Sequence, residues 1–176
     1  MPSASAIRFC RKQFWNAVFV LVAACWSPTF ADDAPASRWE SDMRKFEELD
    51  RASSPEQDGV VFLGSSSIRL WKLDESFPGE KEKFVNRGFG GSQLSDSVHF
   101  AERILAPHRP RVVVVYAGDN DIAADKSPEQ VANDFKALTK TIHARLPTTA
   151  VIYISIKPSI ARWKLVEKVR DRKSVV

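Results

Sequence analysis

The sequence predicts an α/β protein with a parallel sheet that is covered by helices on both faces. The segments 60–63, 112–116 and 151–156 are almost wholly apolar, and such runs are typical of strands buried on both faces. Segments with apolar residues three and four positions apart, the pattern of amphipathic helices, separate these runs. Strands that alternate with helices in this way favour parallel pairing, because each parallel return requires a crossover.

The elements are expected in the following order. A helix covers 38–51, where Trp39, Met43, Phe46 and Leu49 form one apolar stripe. The later elements are a strand at 60–63, a weaker strand at 84–86, a helix at 94–105, the strongest strand at 112–116, a helix at 128–146 with proline in its first turn, a strand at 151–156 and a last helix from Arg162.

The first 31 residues have the features of an export signal. Three basic residues, Arg8, Arg11 and Lys12, precede an apolar run at 14–26, and small residues then lead to Ala31. Cleavage after Ala31 fits the preference for small side chains at such sites. The run of about 13 residues is too short for a helix to cross the ~30 Å hydrocarbon core of a bilayer. We therefore expect a secreted or periplasmic protein with no stable membrane span.

Both cysteines of the chain lie within this segment. Cys25 follows residues 22–24 in a sequence similar to a lipobox, so lipoprotein processing is the alternative to simple secretion, although Trp26 is an unusual residue after a lipidated cysteine. Cys10 is the other cysteine. Cleavage after Ala31 would therefore leave no disulfide, no thiol nucleophile and no thiolate metal site.

Three turns rich in serine, glycine or asparagine directly follow predicted strands. They cover 64–67, 86–92 and 118–121. In open parallel sheets, ligand sites form outside the carboxyl ends of the strands. Each turn alone has an ordinary structural explanation, because serine caps helices, glycine permits positive φ and asparagine favours turns. A serine at a helix start, beside free backbone N–H groups, also suits a nucleophile with an oxyanion site.

Taken together, a serine turn, a glycine turn and a Gly-x-Asn-Asp turn, each after a strand, resemble the block pattern of SGNH or GDSL-like hydrolases. The resemblance extends from Val60 to Trp163, and the segments 61–71 and 154–159 are similar to secreted bacterial members related to platelet-activating-factor acetylhydrolases. It implies a three-layer α/β/α, flavodoxin-like fold and a serine esterase that hydrolyses carboxylic esters. It implies no metal and no organic cofactor.

The resemblance also assigns roles to individual residues. Ser66 takes the place of the nucleophile in the family's Gly-Asp-Ser motif. Ser65 stands where the family has Asp, a change that we expect to alter hydrogen bonding in the turn more than the attack itself. The N–H of Gly91, the side-chain amide of Asn120 and the N–H of Ser66 would donate to the oxyanion.

The general base that the family uses has no counterpart in this sequence. A serine hydroxyl needs a base to accept its proton, and the family supplies one as Asp-x-x-His after all of the turns above. The histidines, His99, His108 and His143, all come too early. Asp96 and His99 match the motif literally, but they fall inside the helix after the glycine turn, where we expect a solvated or capping role. We therefore expect the chain as given to be nearly inactive.

The final residues, 171–176, are an unusual end for an amphipathic helix that starts at Arg162, and their back-translation matches the start of a common sequencing adapter. We expect them to be a non-native tail, and the native chain to continue with a strand, a helix and the Asp-x-x-His loop. The predicted organisation is a signal peptide at 1–31, a linker and N-terminal helix at 32–58, and a hydrolase domain at 59–170 that is incomplete at its C-terminus.

Two other functions are consistent with parts of the sequence. The same turns could bind a carbohydrate or an anion without reacting, whereas a flavodoxin-like nucleotide binder is disfavoured because the first turn lacks Gly-x-Gly-x-x-Gly and a phosphate-binding lysine. The net charge of +4 falls to +1 without the three basic residues of the signal, so we expect no nucleic-acid partner. Export favours small esters, acylated carbohydrates or lipids as substrates. The oligomeric state is left open.

Overall fold

Four parallel strands form the central sheet of the molecule. The computed structural model describes residues 38–53, 57–80 and 83–175. The sheet order is β2-β1-β3-β4, and the register pairs Val60 with both Phe84 and Val112. The strands are β1 (Val60–Gly64), β2 (Phe84–Gly88), β3 (Val112–Tyr116) and β4 (Ala150–Tyr153).

Helices lie on both faces of this sheet, as the sequence predicts, and the fold is a three-layer α/β structure. The predicted helices at 38–51, 94–105 and 128–146 are confirmed to within about two residues at each end, which is the usual uncertainty of helix boundaries. The helices are α1 (Glu40–Ala52), α2 (Ser66–Arg69), α3 (Leu73–Ser76), α4 (Leu94–Leu105), α5 (Asp119–Ala123), α6 (Pro128–Arg145), a 3-10 helix (Ile160–Leu165) and α7 (Val166–Val175).

Alternate residues of the strands pack into two cores, one on each face of the sheet. The larger core also contains side chains from α1, α4, α6 and α7, and the strand residues that enter it are Val61, Leu63, Val113 and Val115. The smaller core is covered by α2 and α3, and the strand residues that enter it are Val60, Phe62, Val114 and Tyr116. Because helices cover both faces of the sheet, side chains on both sides of a strand are buried, which accounts for the continuous apolar runs.

The strand expected at 151–156 is shorter and less buried than predicted. β4 ends at Tyr153, and about half of Ile152 (52%) is exposed. Within the described ranges β4 pairs only with β3, so it is an edge strand. The expectation of a strand buried on both faces is wrong here because an apolar run does not reveal whether a second neighbour covers it. Ile154 still donates its N–H to the Val115 carbonyl, and the chain then leaves the sheet.

The last helix also starts differently from the prediction. A 3-10 helix begins at Ile160, and Arg162 within it has non-helical dihedral angles (φ −121°, ψ 27°). The Ser159 hydroxyl accepts the Arg162 N–H at 3.2 Å, which fixes this start. A regular α-helix follows only from Val166. This irregular segment places Arg162 beside the turns at the end of β3, as described below.

The predicted signal peptide at 1–31, with both cysteines, and nearly all of the predicted linker lie outside the described residues. Cleavage after Ala31, lipidation of Cys25 and export therefore stay predictions. In the part of the chain that the structure describes, no helix combines the length and the apolar character that a membrane span requires.

Candidate active site

The serine turn leaves β1 at Gly64 and begins α2 at Ser66. A side chain at position 64 would lie 2.1 Å from the Tyr116 carbonyl oxygen, so only glycine lets the turn pass this close to β3. Ser65 is completely buried, and its N–H donates to the same carbonyl at 3.3 Å. Ser66 is half-buried, and its N–H belongs to the first turn of α2, where backbone donors have no partner within the helix.

The glycine turn is held directly against the serine turn. Phe89 donates its N–H to the Gly64 carbonyl at 2.9 Å. Gly91 has a φ of +80°, a conformation that L side chains rarely adopt. The indole N–H of Trp39 donates to the Gly90 carbonyl at 3.1 Å, and the Trp39 ring packs edge-on against Phe89. The backbone around Gly91 is therefore anchored from both sides.

The third turn is the first turn of a short helix. Gly118 has a φ of +107° and precedes α5, so Asn120 is the second residue of that helix. Its Nδ2 donates to the Ser92 carbonyl at 2.9 Å. An amide nitrogen carries two hydrogens, and one of them serves Ser92. The role of Asn120 as an oxyanion donor stays a prediction, and it would use the second hydrogen.

A polar network joins these turns. The Asp119 carboxylate accepts the Ser65 hydroxyl at 3.5 Å and the guanidinium of Arg162 at 2.9 Å. The same guanidinium donates to Oδ1 of Asn120 at 2.9 Å. The Ser65 hydroxyl thus links the serine turn to the third turn.

The three histidines lie away from these turns. His99 is exposed and contacts Phe100, while Asp96 accepts the Gln93 N–H at 2.7 Å and caps α4. The literal Asp-x-x-His match is therefore a helix cap with a solvated histidine, as expected. The other two histidines follow or end helices that run back from the turns: His108 lies after α4, and His143 is near the end of α6.

Comparison with known protein families identifies the chain. The model of the GDSL-like lipase/acylhydrolase family matches residues 69–174, which is more than half of the sequence. The chain belongs to this family. The matched range starts three residues after Ser66, so it does not include the serine turn, and the role of Ser66 as nucleophile stays a prediction.

Curated relatives of this GDSL-like protein include the platelet-activating factor acetylhydrolase IB subunit alpha1 of Bos taurus and of Homo sapiens. Each is 29% identical over 138 residues, which cover 74% of this chain and 56% of the relative. The chain therefore spans a little over half the length of these curated relatives.

Solved structures of similar fold include a GDSL-like lipase from Bacteroides thetaiotaomicron VPI-5482, with a TM-score of 0.62 and 17% identity, covering 77% of this chain and 69% of that one. A candidate platelet activating factor from Streptococcus pneumonia gives a TM-score of 0.67 at 22% identity, covering 79% of this chain and 70% of that one. At these identities the likeness shows the shared fold, which confirms the predicted fold class.

Two openings adjoin the serine turn of this GDSL-like protein. A cavity of about 160 Å³ has a mixed lining that includes Asp119, Arg162 and Ile156. A wider groove of about 400 Å³ has a largely apolar wall that includes Ile68, Trp71 and Ile154. Ser67, the residue after Ser66, lines both openings, so both of them adjoin the serine turn.

Asp121 connects the third turn to the start of α4, just after the glycine turn. Its side chain is completely buried, and both carboxylate oxygens accept the Leu94 N–H at 3.2 Å. Lys126 donates to it at 2.9 Å and to Asp134 at 2.7 Å. Burial raises the pKa of the Asp121 carboxyl, while the Lys126 ammonium acts in the opposite direction.

Sequence reasoning missed the supports of the site, namely Trp39, Asp119, Asp121 and Arg162. Asp119 and Asp121 flank Asn120 in the sequence. If the third turn had been predicted as the start of a helix, their side chains would have been expected to point towards different neighbouring elements. Trp39 lies 51 residues before Gly90, to which it donates, and Arg162 lies 42 residues after Asn120. No local sequence pattern signals contacts over such separations. Within the described ranges, no group of His, Cys, Asp and Glu side chains is arranged to hold a metal ion.

Proposed function

We propose that the protein is a serine esterase that hydrolyses carboxylic esters through an acyl-enzyme, with Ser66 as the nucleophile. The observation that carries the proposal is the meeting of the three turns. A half-buried serine at a helix start lies on a turn that is bonded to the glycine turn, and the Asn120 amide is bonded to the end of that glycine turn.

In the proposed reaction, the Ser66 oxygen attacks the ester carbonyl carbon, and the carbonyl oxygen becomes an oxyanion. The N–H groups of Ser66 and Gly91 and the second N–H of Asn120 donate to this oxyanion, where charge develops. The tetrahedral intermediate collapses as the alcohol leaves and takes up a proton. Water then attacks the acylated Ser66 by the same route and releases the acid.

The proton of the Ser66 hydroxyl needs an acceptor. None of the three histidines of the sequence lies at these turns, so we propose that the base is supplied by a histidine that is not among these 176 residues, oriented by a carboxylate. On this proposal the 176-residue chain alone is nearly inactive. The apolar groove, together with the charged side chains of Asp119 and Arg162 in the smaller cavity, favours an ester with an apolar part and a polar part, such as an acylated carbohydrate or a lipid.

Export to the periplasm or the medium is part of the same proposal, since it would bring the enzyme to such substrates. N-terminal sequencing of the protein recovered from the producing cells and their medium tests it. A mature chain that starts at Asp32 supports export with cleavage after Ala31, and a lipidated Cys25 would point to the lipoprotein route. An intact Met1 in cytosolic protein contradicts both.

The experiment that tests the activity is hydrolysis of p-nitrophenyl acetate by two proteins. One is the 176-residue chain, and the other is the product of the full reading frame recovered from genomic DNA, called the locus-encoded protein below. We expect turnover by the locus-encoded protein, and a loss of at least about 1,000-fold for Ser66→Ala. Ser53→Ala, an exposed serine at the end of α1, is the matched control and keeps full activity. Turnover that survives Ser66→Ala overturns the proposal, and silence of the wild type favours a protein that only binds its ligand.

A further inference from the structure

We propose that Arg162 is a positioning residue of the oxyanion site, which holds the side-chain amide of Asn120 in the orientation that offers its second N–H to the substrate. The proposal rests on the proposed function for its kinetic part and on geometry for its structural part. Arg162 comes from the 3-10 helix after β4, far along the chain from Asn120.

The two ends of the Asn120 amide have opposite hydrogen-bonding capacities. Its oxygen only accepts and its nitrogen only donates. A guanidinium carries donors alone, so Nη2 of Arg162, 2.9 Å from Oδ1, is compatible with one orientation of the amide. On the opposite side, the Ser92 carbonyl can only accept, and it receives Nδ2 at 2.9 Å.

A rotated amide would face two mismatches at once. Its NH₂ group would meet the donors of Arg162, and its oxygen would meet the carbonyl oxygen of Ser92. Without Arg162, only the bond to Ser92 would select the orientation of the Asn120 amide. The rotated amide, whose oxygen faces the developing oxyanion, would then be more populated. An oxygen at that place would repel the negative charge that the N–H is needed to stabilise.

The planar fork of Arg162 suits this role because it spans two neighbouring residues. Nη1 donates to the Asp119 carboxylate while Nη2 donates to Asn120. A lysine ammonium is a point donor on a flexible stem and does not reproduce a two-residue fork. A lysine at position 162 is therefore expected to keep an ion pair with Asp119 and to lose the hold on Asn120.

Ser65 completes the arrangement. Its hydroxyl donates to the oxygen of Asp119 that Arg162 leaves free. An aspartate at position 65 would instead bring a second carboxylate against Asp119, and like charges at such a distance disfavour each other. The serine at this position thus fits a third turn in which Asp119 is committed to Arg162.

The partial exposure of the Arg162–Asp119 ion pair indicates that Arg162 positions Asn120 rather than stabilises the fold. The side chains of Arg162 and Asp119 are 39% and 23% exposed, and partly exposed ion pairs contribute little to the free energy of folding. Loss of Arg162 should therefore affect the Asn120 amide and catalysis much more than the melting temperature.

The test compares Arg162→Ala and Arg162→Lys with Arg145→Ala, which removes an exposed arginine paired with Glu102 on the surface. The first readout is the side-chain NH₂ signal of Asn120 in 15N-asparagine-labelled protein, assigned by its loss in Asn120→Asp. We expect both Arg162 variants to shift this signal and to speed its exchange with water at least about tenfold, while Arg145→Ala leaves it unchanged. An unchanged signal in Arg162→Ala overturns the proposal, whatever the activity.

The second readout is ester hydrolysis by the locus-encoded protein. Removing one oxyanion donor costs about 100- to 1,000-fold in kcat, so misplacing it should lower kcat by at least about tenfold, with KM within about twofold. Arg162→Lys should lose as much kcat as Arg162→Ala while it melts within about 2 °C of wild type. A raised KM with unchanged kcat would make Arg162 a substrate-binding residue and would overturn the positioning role. If the wild type proves inactive, the proposed esterase fails and the NMR readout still decides the positioning role.

Discussion

Two groups of polar side chains in this molecule contain the residue types of a serine hydrolase, and only one of them lies at the proposed active site. The site network, which consists of Ser65, Ser66, Asp119, Asn120 and Arg162, lies at the turns after the strands. The buried histidine cluster, which consists of Asp50, Arg87 and His108, lies at the other end of α4. In the cluster, His108 Nε2 is 3.4 Å from Asp50 and 3.1 Å from Arg87 Nη2, and Arg87 also forms an ion pair with Asp50.

The distance between the two groups follows from the length of one helix. α4 begins just after the glycine turn and has 12 residues, so it carries the chain about 18 Å back before His108 is reached. His108 is almost fully buried, and its pKa is lowered by burial and then by the charge of Arg87. An Asp–His contact is therefore part of the core here, since it has neither a serine nor access to substrate.

The comparison teaches that residue types alone do not define the site. The site network is partly open to solvent. The amide nitrogen of Asn120 carries two hydrogens and donates one of them to Ser92. In the buried cluster, two atoms without a partner, Arg87 Nε and His108 Nδ1, are sealed from solvent. Free donors become catalytic only where a substrate can reach them.

The strongest test of this comparison is to remove Asn120, the proposed oxyanion donor. Asn120→Ala should lower kcat of the locus-encoded protein by about 100- to 1,000-fold, because an N–H aimed at the developing charge is lost. Steady-state hydrolysis of p-nitrophenyl acetate measures the effect. Asn133→Ala, an exposed asparagine on α6, is the matched control. Equal rates for the two variants would contradict the role of Asn120.

The support beneath the site network should matter for stability. Asp121→Ala leaves the buried Leu94 N–H without an acceptor and Lys126 with one partner fewer, so we expect a loss of about 2–4 kcal/mol in the free energy of unfolding. Asp134→Ala removes the other, more exposed partner of Lys126 and should cost less than about 1 kcal/mol. Urea denaturation distinguishes them, and similar losses would show that burial of Asp121 is not decisive.

Two glycines with the same backbone conformation separate strain from catalysis. Gly91 and Gly79 have φ of +80° and +88°, so an alanine at either should cost about 1–2 kcal/mol of stability. At Gly91 the new methyl group would also lie 3.0 Å from the Arg38 guanidinium, whereas at Gly79 it would meet nothing within 4 Å. We expect kcat to fall at least about tenfold for Gly91→Ala alone. Equal activity of both variants would remove Gly91 from the site.

The buried histidine cluster should show itself in the pH dependence of stability. The folded-state pKa of His108 lies below its ordinary value, so the unfolded chain binds the proton more readily. Stability is then full above about pH 6.5 and falls as the pH drops below it, by at most about 1.4 kcal/mol per pH unit. Denaturation from pH 8 to 5 should show a shallower slope for His108→Gln than for wild type.

His99→Gln is the matched control for that titration, because His99 is exposed and lies on the same stretch of chain. If His108→Gln keeps the full wild-type slope, His108 is not the group that destabilises the fold in acid.

The sequence was sufficient for the parts of the fold that repeat a local pattern. The helix at 94–105 and the strand at 112–116 are confirmed residue for residue, because their apolar spacing follows the geometry of the element itself. Neither the exposure of β4 nor the 3-10 helix could be predicted in this way. Both depend on which neighbours pack against a segment, and four or five residues such as α2 or α5 are too few to show a period.

The same distinction holds for the site. Ser66, Gly91 and Asn120 are predicted from a family resemblance carried by turns that follow strands, and topology brings such turns together. Arg162 and Trp39 reach the turns from distant segments through single hydrogen bonds. Contacts of this kind are set by the packed structure, and no spacing in the sequence encodes them.

The most direct test of the account is covalent labelling of the nucleophile. The locus-encoded protein is treated with diethyl p-nitrophenyl phosphate, a reagent that phosphorylates activated serines, and the adduct is located by peptide mass spectrometry. We expect one adduct per chain, on Ser66, and none in Ser66→Ala. An adduct on another residue, or an unlabelled wild-type protein, would contradict the claim that the three turns form an active site around Ser66.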